Sequence, residues 1–192
     1  FNKVYIMIRF SIYLIAFLPI VYLLLRLFIF DDVSDPIKYI YTITGASATV
    51  IVFISITLSM IKDKINLIKY RKEIGLLGFF YALLHLLNFI VLDALFDFSF
   101  IIKETVDKPF IYLGMIAFFI VLFMAITSTK TLFRKYNKYH KFVYLSLVLI
   151  TIHWIMAQKA LSVIQYIYIT FIIIIAYYKL QQQKSAILQL NK

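Results

Sequence analysis

Three histidines carry most of the chemistry this chain can offer: His85, His140 and His153. His85 sits in FYALLHLLNF (80–89) and His153 in LVLITIHWIM (147–156), both otherwise almost wholly apolar. His85 lies 13 residues past Lys72 and 8 before Asp93, while His153 lies 13 past His140 and 6 before Lys159. If both runs are helices leaving the same membrane face, a rise of about 1.5 Å per residue sets the two imidazoles at similar depth, displaced toward the outer side. An ionisable side chain at such a depth is costly and needs a partner. Three arrangements supply one. The rings bond to each other; or they grip one metal or haem iron from two sides, neutral imidazole being a common axial ligand; or each bonds separately to a backbone carbonyl or to Asn88, Tyr81 or Thr151. Zinc is disfavoured, because no Cys, Asp or Glu lies at that depth to complete four ligands. His140 differs, since it opens its helix at the basic boundary RKYNKYHKF (134–142). Thirteen helical residues span about 20 Å, a spacing that suits a second, inner haem. The same spacing turns the two rings about 140° apart, and helix three has no histidine on its inner half.

The elements that must position these rings are membrane helices. Of 192 residues, 64% are hydrophobic, and mean hydropathy is +0.93; a soluble domain carries only about 45–50% apolar residues. Four glycines and three prolines favour long helices, and no alternating pattern points to a β-barrel. A span needs about 20 apolar residues, and six are expected: 4–30, 38–61, 74–95, 109–128, 140–158 and 160–180. The expectation is an all-α membrane protein, a six-helix bundle forming a single domain over residues 1–192. Pro19 predicts a kink in the first helix, Asp35-Pro36 a turn before the second, and the few residues around Lys159 a tight hairpin between the last two. Val4–Phe30 is too long and aromatic for a cleaved leader. The absence of cysteine excludes disulfides and thiolate chemistry.

Charge gives the orientation. Segments 1–9, 62–73, 129–141 and 179–192 hold 15 of the 20 basic residues against two acids, Asp63 and Glu73. The intervening segments hold Arg26, Lys38, Lys103, Lys108 and Lys159 with seven acids: Asp31, Asp32, Asp35, Asp93, Asp97, Glu104 and Asp107. The basic set is cytoplasmic by the positive-inside rule, which places both termini inside. The net charge of +11 is then a topology signal with some attraction to anionic lipid, not a nucleic-acid footprint. Gly75, Gly78 and Ala82 form a small-residue strip on helix three, suited to close helix packing or to a flat ring. Arg71 and Lys72 suit haem propionates or a flavin phosphate, as well as topology. Trp154 suits a ring wall or an interfacial anchor. No glycine-rich phosphate loop, Ser/His/Asp set or nucleotide-binding domain is present, so electrons for a haem must come from a quinone or a separate reductase. A transporter would show broken helices and intramembrane charge pairs, and helices two, four and six carry no central charge.

Several stretches together resemble one family. RKEIGLLGFFYALLHLLNFIVLD (71–93) is similar to the pattern RRxLGLxAFFYAxLHxxxYxxLD, and KPFIYLGMIAFFIVLFMAITST (108–129) to RPYIxxGxxAxxxxxxLAxTS. YNKYHKFVYLSLVLITIHW (136–154) is similar to WxxLHRLVYxxxxxxxxHY, and DPIKYIYTITG (35–45) to DPxxxxxxxTG. These are patterns of the MsrQ (YedZ) family, whose fold is ferric-reductase-like. The resemblance implies a b-type cytochrome of the bacterial inner membrane with one or two haem b groups. It implies electron relay from quinone or a cytosolic flavin reductase to a periplasmic molybdopterin-containing methionine sulfoxide reductase subunit. The chain itself would hold no catalytic centre for the sulfoxide. His85 and His153 carry over as axial ligands of the outer haem, His140 as the less certain ligand, and FMN as a further cofactor without a placeable site. Departures are Lys72 for the second arginine, Tyr136 for tryptophan, and Leu58 where a proline usually follows the threonine matched by Thr57. An Arg-to-Lys change removes the planar fork that binds a carboxylate or phosphate in bidentate fashion. The alternatives are a stand-alone reductase of ferric iron, oxygen or superoxide, and a non-redox membrane protein.

Overall fold

A computed structural model describes residues 2–60, 67–158 and 163–190. They form α1 (Asn2–Phe28), α2 (Pro36–Met60), α3 (Arg71–Leu87), α4 (Phe98–Asp107), α5 (Pro109–Ile126), α6 (Lys130–Tyr136), α7 (Val143–Ala157) and α8 (Val163–Leu190). Five stretches are long and apolar enough to cross a membrane: Lys3–Phe28, Pro36–Met60, Ile68–Asp93, Pro109–Ile126 and Lys130–Ala157. Their outer surfaces suit lipid and not water, with Phe10 67% and Phe28 77% exposed. The expected sixth span falls on α8, whose apolar stretch among the described residues, Tyr166–Tyr177, is shorter than the others. The hairpin expected around Lys159 lies outside the described residues.

Local chemistry sets the helix starts. Asp35 accepts a bond from the Lys38 amide (3.0 Å) and Pro36 opens α2, so the expected Asp-Pro turn is a helix cap. Pro109 opens α5 in the same way. α1 continues through Pro19. Helix three begins at Arg71, three residues before the expected start, and past Leu87 it widens into a π-helical turn, Asn88–Asp93. Asn88 ties that turn to the start of α2 by donating to the Ile37 carbonyl (3.2 Å). The chain then reverses through Leu95 and Phe96, both with positive φ (48° and 63°), a conformation non-glycine residues seldom adopt.

One element was not expected. α4 exposes Phe98 (72%), Ile102 (65%) and Val106 (74%) along one face, the pattern of a helix lying in a membrane interface. Asp97 caps it, accepting from the amides of Ser99 (2.9 Å) and Phe100 (3.1 Å). Replacing Asp97 with alanine is expected to cost about 0.5–2 kcal/mol of local helix stability. Hydrogen exchange in 98–107 should quicken while the rest of the bundle stays protected.

Two helix pairs make the bundle: α2 packs along α3 and α5 along α7, with much sparser contact between the pairs. Within the first pair α3 approaches so closely that a Cβ on Gly78 would stand 2.8 Å from Val52 Cγ2 and 3.2 Å from the Val52 backbone nitrogen. This is the small-residue strip at work in helix packing. At the end of the bundle near Arg71 and His140, Val52, Ile56, Val143, Leu147 and Ile172 form an aliphatic core across α2, α7 and α8. Toward the other end, the seam between the pairs holds imidazole rings instead.

Candidate metal centre

The rings of His85 on α3 and His153 on α7 meet across this seam. Their centres are 6.1 Å apart and their planes nearly perpendicular, at 89°. Both are half-buried. Each is held at Nδ1. His153 Nδ1 lies 2.6 Å from the Phe110 carbonyl of α5. A carbonyl only accepts, so Nδ1 carries the proton. His85 Nδ1 lies 3.3 Å from the Thr44 hydroxyl of α2. Thr44 donates its one proton to the Ile40 carbonyl (2.6 Å), so here too the ring is the donor. With the proton on Nδ1, each ring in its neutral form keeps its lone pair at Nε2. Neither of these two bonds uses Nε2, and the Tyr41 backbone also bonds the His85 ring.

Two lone pairs cannot satisfy one another, which removes the direct His–His bond. The third expected arrangement is met for His153, whose separate partner is the Phe110 backbone carbonyl, while the separate partner of His85 is Thr44 and none of the three side chains named for that role. Asn88 bonds the Ile37 carbonyl, Tyr81 the Ala16 carbonyl and Thr151 the Leu147 carbonyl. An electrophile between the rings would use both Nε2 nitrogens. An imidazole nitrogen about 2 Å from a metal puts its ring centre about 3 Å away, so two rings on opposite sides of one ion stand about 6 Å apart; the observed 6.1 Å fits. Among the described residues no group of three or more His, Cys, Asp or Glu gathers anywhere. That donor set is too small for zinc and sufficient for a macrocyclic iron, which needs only axial ligands.

Glycines make room for the rings. A Cβ on Gly45 of α2 would stand 2.9 Å from His85 Cε1, and one on Gly114 of α5 would stand 2.8 Å from His153 Nδ1. Tyr41 packs edge-on to His85 (5.3 Å), and its hydroxyl bonds Asp93 (3.1 Å) at the end of the π-helical turn. Residue-by-residue reading of the sequence assigned none of Thr44, Gly45, Phe110 and Gly114 to the rings. The signal was present in the conspicuous TG of DPIKYIYTITG and the glycine of KPFIYLG, but no spacing rule says which helix faces which.

His140 stands apart from the pair. It lies in a 3₁₀ segment, Asn137–Phe142, and not in the α-helix expected from 140 onward. Three 3₁₀ steps of about 120° in place of about 100° reduce the expected 140° misalignment to about 80°, still not a shared face. Its Nε2 lies 2.9 Å from Thr127, whose own proton goes to the Phe123 carbonyl (2.7 Å). Nε2 is therefore the protonated, committed nitrogen, opposite to the other two histidines. Phe133 covers the ring edge-on at 4.8 Å. Arg71 is within electrostatic reach of His140, and Lys72 is exposed. Trp154 packs edge-on to Tyr168 of α8 at 5.2 Å, which makes it a helix contact.

Residues 61–157 match the family described as "Ferric reductase like transmembrane component". The chain belongs to this ferric-reductase-like transmembrane family. The match takes in His85, His140 and His153. Proteins of Brucella ovis and Brucella canis, each named "Protein-methionine-sulfoxide reductase heme-binding subunit MsrQ", are 33% identical over 133 residues. The aligned region is 66% of this chain and spans 60% of those relatives' length. No solved structure matches. The MsrQ resemblance drawn from the motifs thus holds beyond them. This ferric-reductase-like chain is a multi-pass protein of the bacterial inner membrane.

Proposed function

We infer that this chain is a haem-carrying electron relay of the membrane, with His85 and His153 as the two axial ligands of one b-type haem. The observation that carries this is the pair of half-buried imidazoles, 6.1 Å apart on separate helices, each held from behind at Nδ1. The relatives' name, a "heme-binding subunit", supports the same group. Bound there, haem would supply reversible one-electron storage on iron. The protein's part is to present two neutral nitrogens, to fix each tautomer from behind, and to keep the iron within apolar helices.

One haem is proposed and not two. The seam at the Arg71 end is filled by Val52, Ile56, Val143 and Leu147, and Thr127 holds His140 Nε2. Arg71 and Lys72 then serve topology and the cytoplasmic boundary. The proposal assigns no residue to FMN. It extends to a single bundle over residues 1–192 with α8 as sixth span and both termini cytoplasmic, as the charge distribution implies. Electrons would enter from quinone or a cytosolic flavin reductase and leave to a periplasmic molybdopterin-containing methionine sulfoxide reductase.

The test is the purified protein in mild detergent. A Soret band with α and β bands sharpening on reduction, and one haem per chain, are expected. A chain expressed with ample haem yet carrying none overturns the reading. His140→Ala is expected to keep the full haem-to-protein ratio, read by pyridine haemochrome; a halved ratio would restore the second haem.

A further inference from the structure

TITG (42–45) on α2 and PFIYLG (109–114) on α5 each bring to one ring a glycine against its face and an acceptor for its Nδ1 proton. The two arrangements match although they share no sequence. Thr44 and Gly45 are adjacent, whereas the Phe110 carbonyl and Gly114 lie one helical turn apart. We propose that Thr44 with Gly45, and Phe110 with Gly114, are two positioning seats that hold the His85 and His153 planes crossed, and that the Thr44 hydroxyl sets how strongly His85 donates through Nε2. This rests on the haem reading above and concerns what tunes that site.

The geometry leaves each ring little freedom. Nδ1 is held by its acceptor, and the nearby glycine leaves the space the ring occupies. A Cβ at Gly45 or Gly114 would come within 2.9 Å of it. His85 is further braced by Tyr41, itself anchored on Asp93. The result is the 89° between planes. The two acceptors are unequal. His153 has a backbone carbonyl at 2.6 Å; His85 has the Thr44 hydroxyl at 3.3 Å beside a bond to the Tyr41 backbone. An acceptor behind Nδ1–H raises the basicity of the opposite nitrogen and so favours ferric over ferrous iron. The carbonyl cannot be changed by substitution. The hydroxyl can, and its bond to Ile40 polarises it into a better acceptor. His85 is thus the adjustable ligand of the pair.

Thr44→Val keeps the shape of the side chain and removes the acceptor. It is expected to keep haem and raise the midpoint potential, and Thr44→Ser should restore it. Crossed axial planes give a strongly anisotropic low-spin ferric resonance, parallel planes a rhombic one. Gly45→Ala and Gly114→Ala should each turn a ring and shift the bound haem toward the rhombic form. A mere packing role would change haem occupancy or stability but not the potential or resonance of the haem that remains. A wild-type potential in T44V, or equal shifts in T44V and T44S, overturns the role of the hydroxyl. Unchanged resonances in both G45A and G114A overturn the seats. If T44V sheds its haem, with or without loss from T44S, Thr44 acts on occupancy and the tuning role of the hydroxyl is overturned. Absence of haem from the unaltered protein instead removes the ligand reading itself, before any variant is compared.

Discussion

Alanine at either His85 or His153 is expected to empty the site. An iron held between two rings loses its low-spin state when one is removed, and the remaining Nε2 is a single monodentate hold in an apolar seam. Loss of a partner behind a ligand costs about 10–100-fold in metal affinity, so loss of a ligand should cost more than about 100-fold. Both variants should lose haem, because each ring supplies one of the two proposed ligands, one from each helix pair. The comparison is the Soret absorbance per chain, measured on monodisperse protein so that unfolding is not mistaken for vacancy. Added imidazole should restore part of the band in both, since each deletion leaves a ring-sized gap beside Gly45 or Gly114. Full haem in either variant would end the assignment. Loss in H153A alone would move the second ligand away from His85.

How much of this was legible from residue types follows from what each signal measures. Hydropathy reports burial in lipid, so the first, second and fourth spans were readable to within about two residues, while the third starts at 68 against an expected 74 and the fifth at 130 against an expected 140. Depth follows from counting along a helix, so pairing His85 with His153 needed only their distances from flanking charges. Azimuth is less robust, because it assumes a constant 100° step. The 3₁₀ entry before Val143 and the π turn after Leu87 both break that assumption, and neither has a strong sequence mark. α4 was missed because ten residues are too few to register as a span, although Asp97 and the Phe98, Ile102, Val106 spacing were there to be read. Thr44 and Gly114 were illegible for another reason. Their roles depend on which helices are neighbours, and a lipid-facing surface rich in Leu, Ile and Phe gives no periodicity that separates one neighbour from another.

The second large effect expected is on folding, at Gly78. A methyl group there meets Val52 at its side chain (2.8 Å) and at its backbone nitrogen (3.2 Å). The side chain can rotate, but the backbone cannot move unless α2 separates from α3. Overpacking of this kind costs about 1–3 kcal/mol, on the order of 2–12 °C in melting temperature for a chain of this size, and a leucine should cost more. Gly75, one turn earlier on the same strip, is the control. Its Cβ would meet only the Ser55 hydroxyl, at 3.3 Å, an atom that shifts by rotating away from the Arg71 carbonyl it bonds. Gly75→Ala should therefore melt within a degree or two of the unaltered protein, and Gly78→Ala well below it. The separation should also reach the proposed haem site, because α2 carries Thr44 and Gly45 while α3 carries His85. Forcing these helices apart at Gly78 loosens the ring two turns away, so G78A should release haem faster than G75A at the same temperature. Equal stability in the two variants would mean that α2 and α3 are not pressed together at Gly78. A stable G78A that still sheds haem quickly would mean that the pair tolerates separation and that the seat at His85 does not.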